Sequence, residues 1–551
     1  MPNTMRGVYT NLTEIRRKVF REVARVAYTH QEDLDTSWVE ELPYQIIPGE
    51  SATYRESIFL ERAIVAARIR LAMGLNLLPV DQPSSVSEGI REAEHPERYY
   101  EPPLINVIKF ACHACPEDSY IVTDQCQGCL AHPCREICPK GAITFVNHRA
   151  HIDQDKCIKC GRCKDVCPYT AILHRARPCA AACGMHCIGS DEYGHADIDY
   201  SRCVSCGQCL VNCPFGAIAD KSQIFQVIKA IQSGAEVIAA VAPAFVGQYG
   251  GRGDVGKLRE AFTMLGFAGV EEVAIGADLC TVQESEDFLE EVPDKLPFMA
   301  TSCCPAWAMM AKKDFPDHAK CISMALTPMT LTARYLRQLH PEAKIVFVGP
   351  CSAKKLEAMR ESVRSEVDFV LTFEEVYAMM EALEIDYTKL PKPADNDFSR
   401  ASADGRGFAV AGGVANAVVN AIHKTHPDRE VNVASAEGLD NCRALLRDAT
   451  KGKYPGYLLE GMACPGGCVA GPGTLKGIKQ SQAQVKAYMK RSPLKNATED
   501  GLCAIIPELM AMGDDEPGQS AQERMPAPKR AAAPEVLTET DSIDVVDEPA
   551  E

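Results

Sequence analysis

Apolar residues recur at helical spacing near the start of the chain and gather into short runs further along. Over residues 13–28, Ile15, Val19, Val23 and Val26 fall on one face of a helix, with Asn11 and Glu14 as a capping pair. A second helical periodicity runs over 55–74. Residues 78–103 are rich in Pro, Ser and Glu and read as a linker or surface loop. From about 221 the texture changes. Apolar runs at Glu236–Phe245, Lys344–Val348, Phe369–Leu371, Phe408–Val410 and Tyr457–Leu459 read as strands and alternate with helical stretches, an α/β pattern. The longest apolar run, Val237–Val246, is interrupted by Pro243 and falls well short of the ~20 residues a membrane-spanning helix needs. Residues 514–551 are acidic, hold five prolines and no aromatic residue, and cannot bury enough apolar surface to offset chain entropy; they read as a disordered tail.

These textures divide the 551 residues into a mostly helical region (1–105), a cysteine-dense region (106–220), an α/β region (221–505) and an acidic tail (506–551). The net charge of −17, with no clustered cations, argues against a nucleic-acid partner. The number that changes the picture is 26 cysteines, of which seventeen lie between Cys112 and Cys213 and eight between Cys280 and Cys468. Disulfide scaffolds are usually short, secreted and poor in core. A long, core-rich chain without an apolar leader is expected to keep its thiols reduced, to hold metal with them, and to reside in the cytoplasm. Arg16-Arg17 ahead of Phe20 faintly resembles a twin-arginine export signal, but Arg21, Glu22 and Arg25 follow it, so the amphipathic helix is the preferred reading.

The cysteine-dense region repeats one frame three times: Cys126-x2-Cys129-x4-Cys134-x3-Cys138-Pro139, Cys157-x2-Cys160-x2-Cys163-x3-Cys167-Pro168, and Cys203-x2-Cys206-x2-Cys209-x3-Cys213-Pro214. Each continues into an Ala-Ile pair, at 142–143, 171–172 and 217–218. Three closely spaced thiolates reach three irons of a cubane cluster, and in two-cluster ferredoxins the fourth cysteine of the run ligates the other cluster. The second and third repeats resemble bacterial ferredoxin. On that frame Cys157, Cys160, Cys163 and Cys213 are expected on one 4Fe-4S cluster, and Cys203, Cys206, Cys209 and Cys167 on a second. Zinc is the competing reading, but structural zinc sites use two C-x2-C pairs set well apart. The first repeat supplies four thiolates for a third cluster. A fourth is expected from Cys112, Cys115, Cys179 and Cys183; buried unpaired thiols are the alternative for these four and for Cys187. His113, His132 and His186, among the cysteines, are expected as second-sphere or surface groups.

The α/β region carries three cysteine loops, each following or closing an apolar run: Thr301-Ser302-Cys303-Cys304-Pro305-Ala306-Trp307, Gly349-Pro350-Cys351-Ser352-Ala353-Lys354-Lys355-Leu356-Glu357, and Glu460-Gly461-Met462-Ala463-Cys464-Pro465-Gly466-Gly467-Cys468. Ligands of open α/β sheets gather beyond the carboxyl ends of strands. Convergence of the three loops would present four thiolates to one more cluster in a cleft. The glycine stretch Gly247, Gly250, Gly251 and Gly253 lacks a G-x-G-x-x-G frame, so nucleotide binding is not expected.

The three loops, in this order, resemble the three motifs of the FeFe (iron-only) hydrogenases, over roughly residues 106–480. The resemblance implies a ferredoxin-like iron–sulfur domain followed by an α/β catalytic domain of two lobes, α+β and α/β in class. It implies that Cys304, Cys351, Cys464 and Cys468 hold a 4Fe-4S cluster. Cys468 would also bridge to a two-iron subsite with carbon monoxide, cyanide and an amine dithiolate, the whole being the H-cluster. Lys354 would bond a cyanide, Met462 would pack beside the irons, and Ala242 and Pro243 would line the pocket. Heterolytic splitting of dihydrogen needs a Lewis acid and a nearby base. By resemblance Cys303 starts the proton relay, with Glu284 and Asp287 as its two carboxylates and Ser323 as its hydroxyl. Ferredoxin or a similar carrier and the hydrogenase maturation proteins are the implied partners, and an anaerobic setting the implied one. Gly349 stands where the best-known members have Met, Ala244 where many have Ser, Gly471-Pro472-Gly473 where three glycines are usual, and Glu291 near the place of a terminal Arg; these mark a divergent subgroup. A non-catalytic Narf-type iron–sulfur protein and a hydrogen sensor are the competing readings. Retention of Cys303, Lys354, Met462 and Glu284 speaks against the first, and the short, polar stretch 480–551 against the second.

Overall fold

A computed structural model describes residues 7–29, 37–82, 84–93, 102–250, 254–359, 366–391, 398, 400–499 and 501–512. The expected tail at 514–551, Gly251 and Gly253, and residues 94–101 of the expected linker lie outside the described residues. Among the described residues no helix is long and apolar enough to cross a membrane.

The N-terminal periodicities form helices Asn11–Thr29 and Ile58–Ala72. Val19, Phe20, Val23 and Val26 bury one face of the first helix. Its cap differs from the expected Asn11/Glu14 pair. Thr10 Oγ1 accepts from the Thr13 amide at 3.3 Å, and Glu14 reaches forward to Lys18 Nζ at 2.8 Å. These helices share one hydrophobic core with the α/β part. Arg16 Nη2 donates to Glu374 Oε1 at 2.9 Å, and Arg55 Nη2 donates to the carbonyl of Phe215 at 2.8 Å. The two helices and the described residues around them thus clasp the cysteine-dense region to the α/β body.

The cysteine-dense region is built from four two-stranded pieces. β1 (Ile105–Val107), β2 (Ser119–Val122), β3 (Ile143–Val146), β4 (Arg149–Ile152), β5 (Ile172–Arg175), β6 (Ile188–Ser190), β7 (Ala196–Ile198) and β8 (Ile218–Asp220) pair antiparallel as β1 with β8, β2 with β5, β3 with β4 and β6 with β7. The Ile of each Ala-Ile repeat opens a strand, buried as the first inward residue.

Among the described residues the α/β body holds two parallel sheets. β9 (Val237–Val241), β10 (Gly269–Glu272), β12 (Lys344–Gly349) and β13 (Phe369–Thr372) lie in the order β10-β9-β12-β13. β11 (Met299–Ala300), β14 (Asn432–Glu437) and β15 (Tyr457–Met462) lie in the order β11-β15-β14. Every residue of β9 is buried, as parallel strands covered on both faces require. β14 was not visible in the sequence because four of its six residues are exposed on an edge and it carries Asn, Ser and Glu. Phe408–Val410 is a turn, not the expected strand. Gly407 and Gly413 bracket it so closely that a Cβ on Gly413 would lie 1.9 Å from the Gly407 carbonyl oxygen. Residues 506–511, assigned to the tail from sequence, instead form helix Ile506–Ala511, which buries Ile506 and Leu509; Arg334 Nη1 donates to the Leu509 carbonyl at 2.5 Å.

Candidate metal centre

All three cysteine loops leave the carboxyl ends of parallel strands. β11 runs into Cys303-Cys304, β12 into Cys351 and β15 into Cys464 and Cys468, while β9 delivers Ala242-Pro243. The loops close around one cavity lined by Cys304, Cys351, Cys464 and Cys468, together with Cys303 and Lys354. Met462, Ala242, Pro243 and Phe408 add apolar wall, and Cys206 of the cysteine-dense region opens onto the same space. Among the described residues no three His, Cys, Asp or Glu side chains converge on a single ion-sized point. A cubane offers each thiolate its own iron, so its ligands stand farther apart. Four sulfurs around an otherwise mostly apolar cavity fit such a cluster. Burial, and after it the neighbouring thiols, pushes Cys351 and Cys468 up, the latter to about 12; cluster irons would reverse that penalty.

Local sequence explains the approach. Cys304 caps helix Pro305–Asp314, with Pro305 in the first turn where no amide is needed, and Cys351 caps helix Ser352–Glu357. Gly467 has φ +84°, and a Cβ there would lie 2.5 Å from the Ala411 amide nitrogen. The divergent positions have structural partners. A Cβ on Gly349 would lie 2.5 Å from the ring of Phe347, which itself lines the cavity and takes up that space. Pro472 packs on the turn at Gly207, where a Cβ would meet it at 2.7 Å.

Lys354 is held by two groups that the sequence reading did not single out. Its ammonium donates to Thr327 Oγ1 at 2.9 Å and lies 2.7 Å from Glu357 Oε2, while Thr327 Oγ1 donates to Glu357 Oε1 at 2.5 Å. Glu357, three residues on in the same short helix, was legible only as a carboxylate at a neighbouring helical position.

Helix Ala274–Glu291 carries Glu284, Asp287 and Glu291 on one face, running from the core to the surface. Glu284 is fully buried. Its Oε1 accepts from the amide of Ser302 at 2.8 Å and from Ser302 Oγ at 3.0 Å, whereas its Oε2 is buried without a hydrogen-bond partner. Burial pushes Glu284 up to about 7, against the lowering effect of the Ser302 bonds. Burial and then Glu291 push the half-buried Asp287 up to about 6. The Cys303 thiol is raised well above its ordinary value, by burial first and Glu284 second. Ser323 is buried in the adjoining loop, where its Oγ accepts from the Ala325 amide at 3.1 Å; the Ala325 carbonyl in turn accepts from Ser302 Oγ at 3.0 Å.

The N-terminal cysteines group differently from the expectation. Cys167 shares a small pocket with Cys126, Cys129 and Cys134, not with Cys203, Cys206 and Cys209. Cys213 faces Cys115 and Cys179, not Cys157, Cys160 and Cys163. Cys183, expected with Cys112, Cys115 and Cys179, lies instead beside Cys203, Cys206 and Cys209, 3.5 Å from the Cys187 sulfur. The reason is strand pairing: β2 with β5 makes the 126–138 repeat the partner of 157–167, and β1 with β8 leaves 203–213 to the outlying cysteines. The histidines stay outside these groups. His113 stacks on Phe215 with centroids 4.5 Å apart, His132 lies against Phe145, and His186 Nε2 is 2.8 Å from Asp440 Oδ1.

The C-terminal domain of the iron-only hydrogenase large subunit matches residues 235–472, and 4Fe-4S binding domains match 150–173 and 195–218. The periplasmic [Fe] hydrogenase large subunit of Nitratidesulfovibrio vulgaris is 30% identical over 395 residues, 62% of this chain and 92% of that protein. The chain belongs to the iron-only hydrogenase family. Among its relatives in that family is iron hydrogenase 1 of Clostridium pasteurianum, 29% identical over 61% of this chain and 67% of the relative. The cytosolic iron-sulfur assembly component 3 of Mus musculus is 26% identical over 43% of this chain and 60% of its own length. The hydrogenase-domain match and the two 4Fe-4S matches together support an iron–sulfur protein of hydrogenase-like character.

Proposed function

We propose that this protein is an FeFe hydrogenase that interconverts dihydrogen with protons and electrons at an H-cluster. The observation that carries the reading is the single cavity onto which Cys304, Cys351, Cys464 and Cys468 open together with Cys303, Lys354 and Met462. The four cysteines would hold the cubane, and Cys468 would bridge to the two-iron subsite. When bound, that group supplies an iron Lewis acid and an internal amine base for dihydrogen.

The chain's own residues bind, shield and move protons. Apolar Ala242, Pro243 and Phe408 keep bulk water from the reacting face. Lys354, steadied by Thr327 and Glu357, offers a fixed cation to an anionic ligand. Cys303 receives or delivers the proton, and Glu284 relays it, titrating near neutrality where a carboxyl both donates and accepts. Ser323 and then Asp287, further out on the helix, carry the path toward solvent. A Narf-type assembly role has no use for this thiol–carboxyl path or for a cation at the ligand, which favours the enzyme.

Electrons would enter through 4Fe-4S clusters from ferredoxin or a similar acidic carrier. Between residues 119 and 175 there are eight Lys and Arg against five Asp and Glu, in a chain of net charge −17, and Cys160 is exposed there. Such a patch steers an acidic partner. A reducing compartment such as the cytoplasm, which keeps unloaded thiols free to take up metal, fits this thiolate load. The test is infrared spectroscopy of the protein after anaerobic assembly with maturation proteins. Bands of bound carbon monoxide and cyanide with dihydrogen turnover are expected; clusters without those bands would leave the Narf-type reading.

A further inference from the structure

Two strand pairings govern the cysteine-dense region. β1 with β8 encloses everything from 108 to 217, and within that span β2 with β5 encloses 123 to 171. Each enclosure contains its own central hairpin, β6 with β7 in the outer and β3 with β4 in the inner. Each also packs two short thiol-bearing helical turns together: Pro178–Ala181 on Gln208–Asn212 outside, Pro133–Glu136 on Arg162–Asp165 inside. One ferredoxin unit is therefore inserted into the other. The insertion falls between Cys115 and Cys179, so the outer unit's first motif is Cys112-x2-Cys115, interrupted, then Cys179-x3-Cys183. Spacing already sets these four cysteines together, but on a single cluster; what the interruption hides is that they form a ferredoxin motif whose last cysteine crosses to the partner motif.

We propose that this region is a pair of nested two-cluster ferredoxins binding four cubane clusters. The ligand sets are Cys112, Cys115, Cys179 and Cys213; Cys183, Cys203, Cys206 and Cys209; Cys126, Cys129, Cys134 and Cys167; and Cys138, Cys157, Cys160 and Cys163. In each unit the fourth cysteine of one motif crosses to the other motif's cluster, the exchange that two-cluster ferredoxins use.

Three observations carry the sets. Cys126, Cys129, Cys134 and Cys167 line one small pocket and no other cysteine does. Cys112 and Cys213 both lie close to Cys115 and to Cys179, while Cys206, Cys203 and Cys183 are the nearest thiols to Cys209, with Cys179 the next one out. The inner thiols Cys126, Cys134, Cys138, Cys157 and Cys163 pack in one hydrophobic cluster that contains none of the outer thiols. Cys187 has no place in a set. Four residues after the last cysteine of each run the repeat has Ala142, Ala171 and Ala217, and Cys187 is the fourth member of that series. It replaces an alanine that packs on a cluster and is not a ligand. The order follows: the inner unit lies outermost with Cys160 exposed, the outer unit next, and Cys206 faces the catalytic cavity.

The assignment rests on the proposed function only in taking the clusters as cubanes. It is tested on full-length protein made anaerobically without maturation proteins, so hydrogen turnover plays no part. About twenty irons per chain are expected, four for each of five cubanes. Electron paramagnetic resonance during stepwise reduction should show Cys213→Ser and Cys179→Ser perturbing one and the same signal. Cys183→Ser should perturb a different one, shared with Cys203→Ser, and Cys187→Ala should leave iron and signals unchanged. A Cys213→Ser change in the signal altered by Cys157→Ser would overturn the nesting, as would a wild-type count of about twelve irons or fewer. If Cys213→Ser does not fold, the inner unit supplies the same test: Cys167→Ser should alter the signal altered by Cys126→Ser, and a change instead in the signal altered by Cys203→Ser would overturn the sets. Failure of the hydrogenase reading would appear separately, as absent carbon monoxide and cyanide bands in matured protein with all five cubanes intact.

Discussion

The Gln208 side-chain amide donates to Cys464 Sγ at 3.2 Å. Gln208 stands between Cys206 and Cys209, so one short segment would serve a cluster of the outer ferredoxin and touch a ligand of the catalytic one. Hydrogen bonds to cluster sulfurs favour the reduced state. Gln208→Leu keeps the size and removes the donor. The potential of the catalytic cubane should then fall by on the order of 60 mV, a tenfold shift for one electron. Potentiometric infrared titration reads this directly, and an unshifted midpoint would show that the contact is merely packing.

Cys303→Ala should leave cluster content intact and reduce turnover by at least about 10²-fold, the lower end for loss of a general acid–base group. Dihydrogen–deuterium exchange is the sensitive readout. Full exchange in the variant would remove the thiol from the path.

Glu284→Gln separates proton transfer from fold. Because burial raises this carboxyl from 4.5 to about 7, its contribution to stability is present below pH 4.5 and is lost as pH rises through about 7. Asp287, Glu460, Cys280 and Cys303 are the titratable neighbours. The glutamine variant should lose turnover at every pH, by about 10²-fold or more. It should also show a flatter fall in denaturation midpoint between pH 4.5 and 7 than the parent. Parallel curves for the two proteins would mean that Glu284 does not titrate there.

Lys355 ties three parts of the chain together. Its fully buried ammonium donates to Asp220 Oδ2 at 2.9 Å, Glu375 Oε1 at 2.8 Å and the Lys221 carbonyl at 2.7 Å. Lys355→Met strands two carboxylates, and removing one partner of a buried pair costs about 3–5 kcal/mol. A thermal midpoint lowered by several degrees is expected; restoration in a Lys355→Met, Glu375→Gln, Asp220→Asn triple variant would confirm that the stranded charge is the cause.

If the basic inner ferredoxin receives the electron carrier, Lys159→Glu with Lys164→Glu should raise KM for an acidic ferredoxin roughly fivefold, about 1 kcal/mol. Activity with a small viologen should not change. The ferredoxin reaction of the parent should also slow with added salt. Equal effects on both donors would place the docking surface elsewhere.

Much of the catalytic cavity was legible because its chemistry sits in contiguous loops: the three cysteine loops come together as their spacing suggested, and Cys303, Lys354 and Met462, which only the family resemblance singled out, line the same cavity. Thr327 and Glu357 were not, since a hydroxyl and a carboxylate gain meaning only when a fold sets them beside an ammonium. β14 and the Phe408 turn misled for a related reason: edge exposure and glycine packing are tertiary facts. The cysteine pairing failed because adjacency of motifs in sequence stood in for adjacency in space. Only strand register reveals that the second repeat belongs with the first.

Where the inner ferredoxin leaves and rejoins the outer one, Arg177 clamps the junction, donating to the Cys115 carbonyl from Nε at 3.1 Å and from Nη2 at 2.9 Å. Departure and return points of the insertion are thus held side by side. On the proposed assignment, the seam would let the inner module be removed with the outer unit's strands still paired, so that reach toward a redox partner could be cut back separately from the chemistry of the cavity.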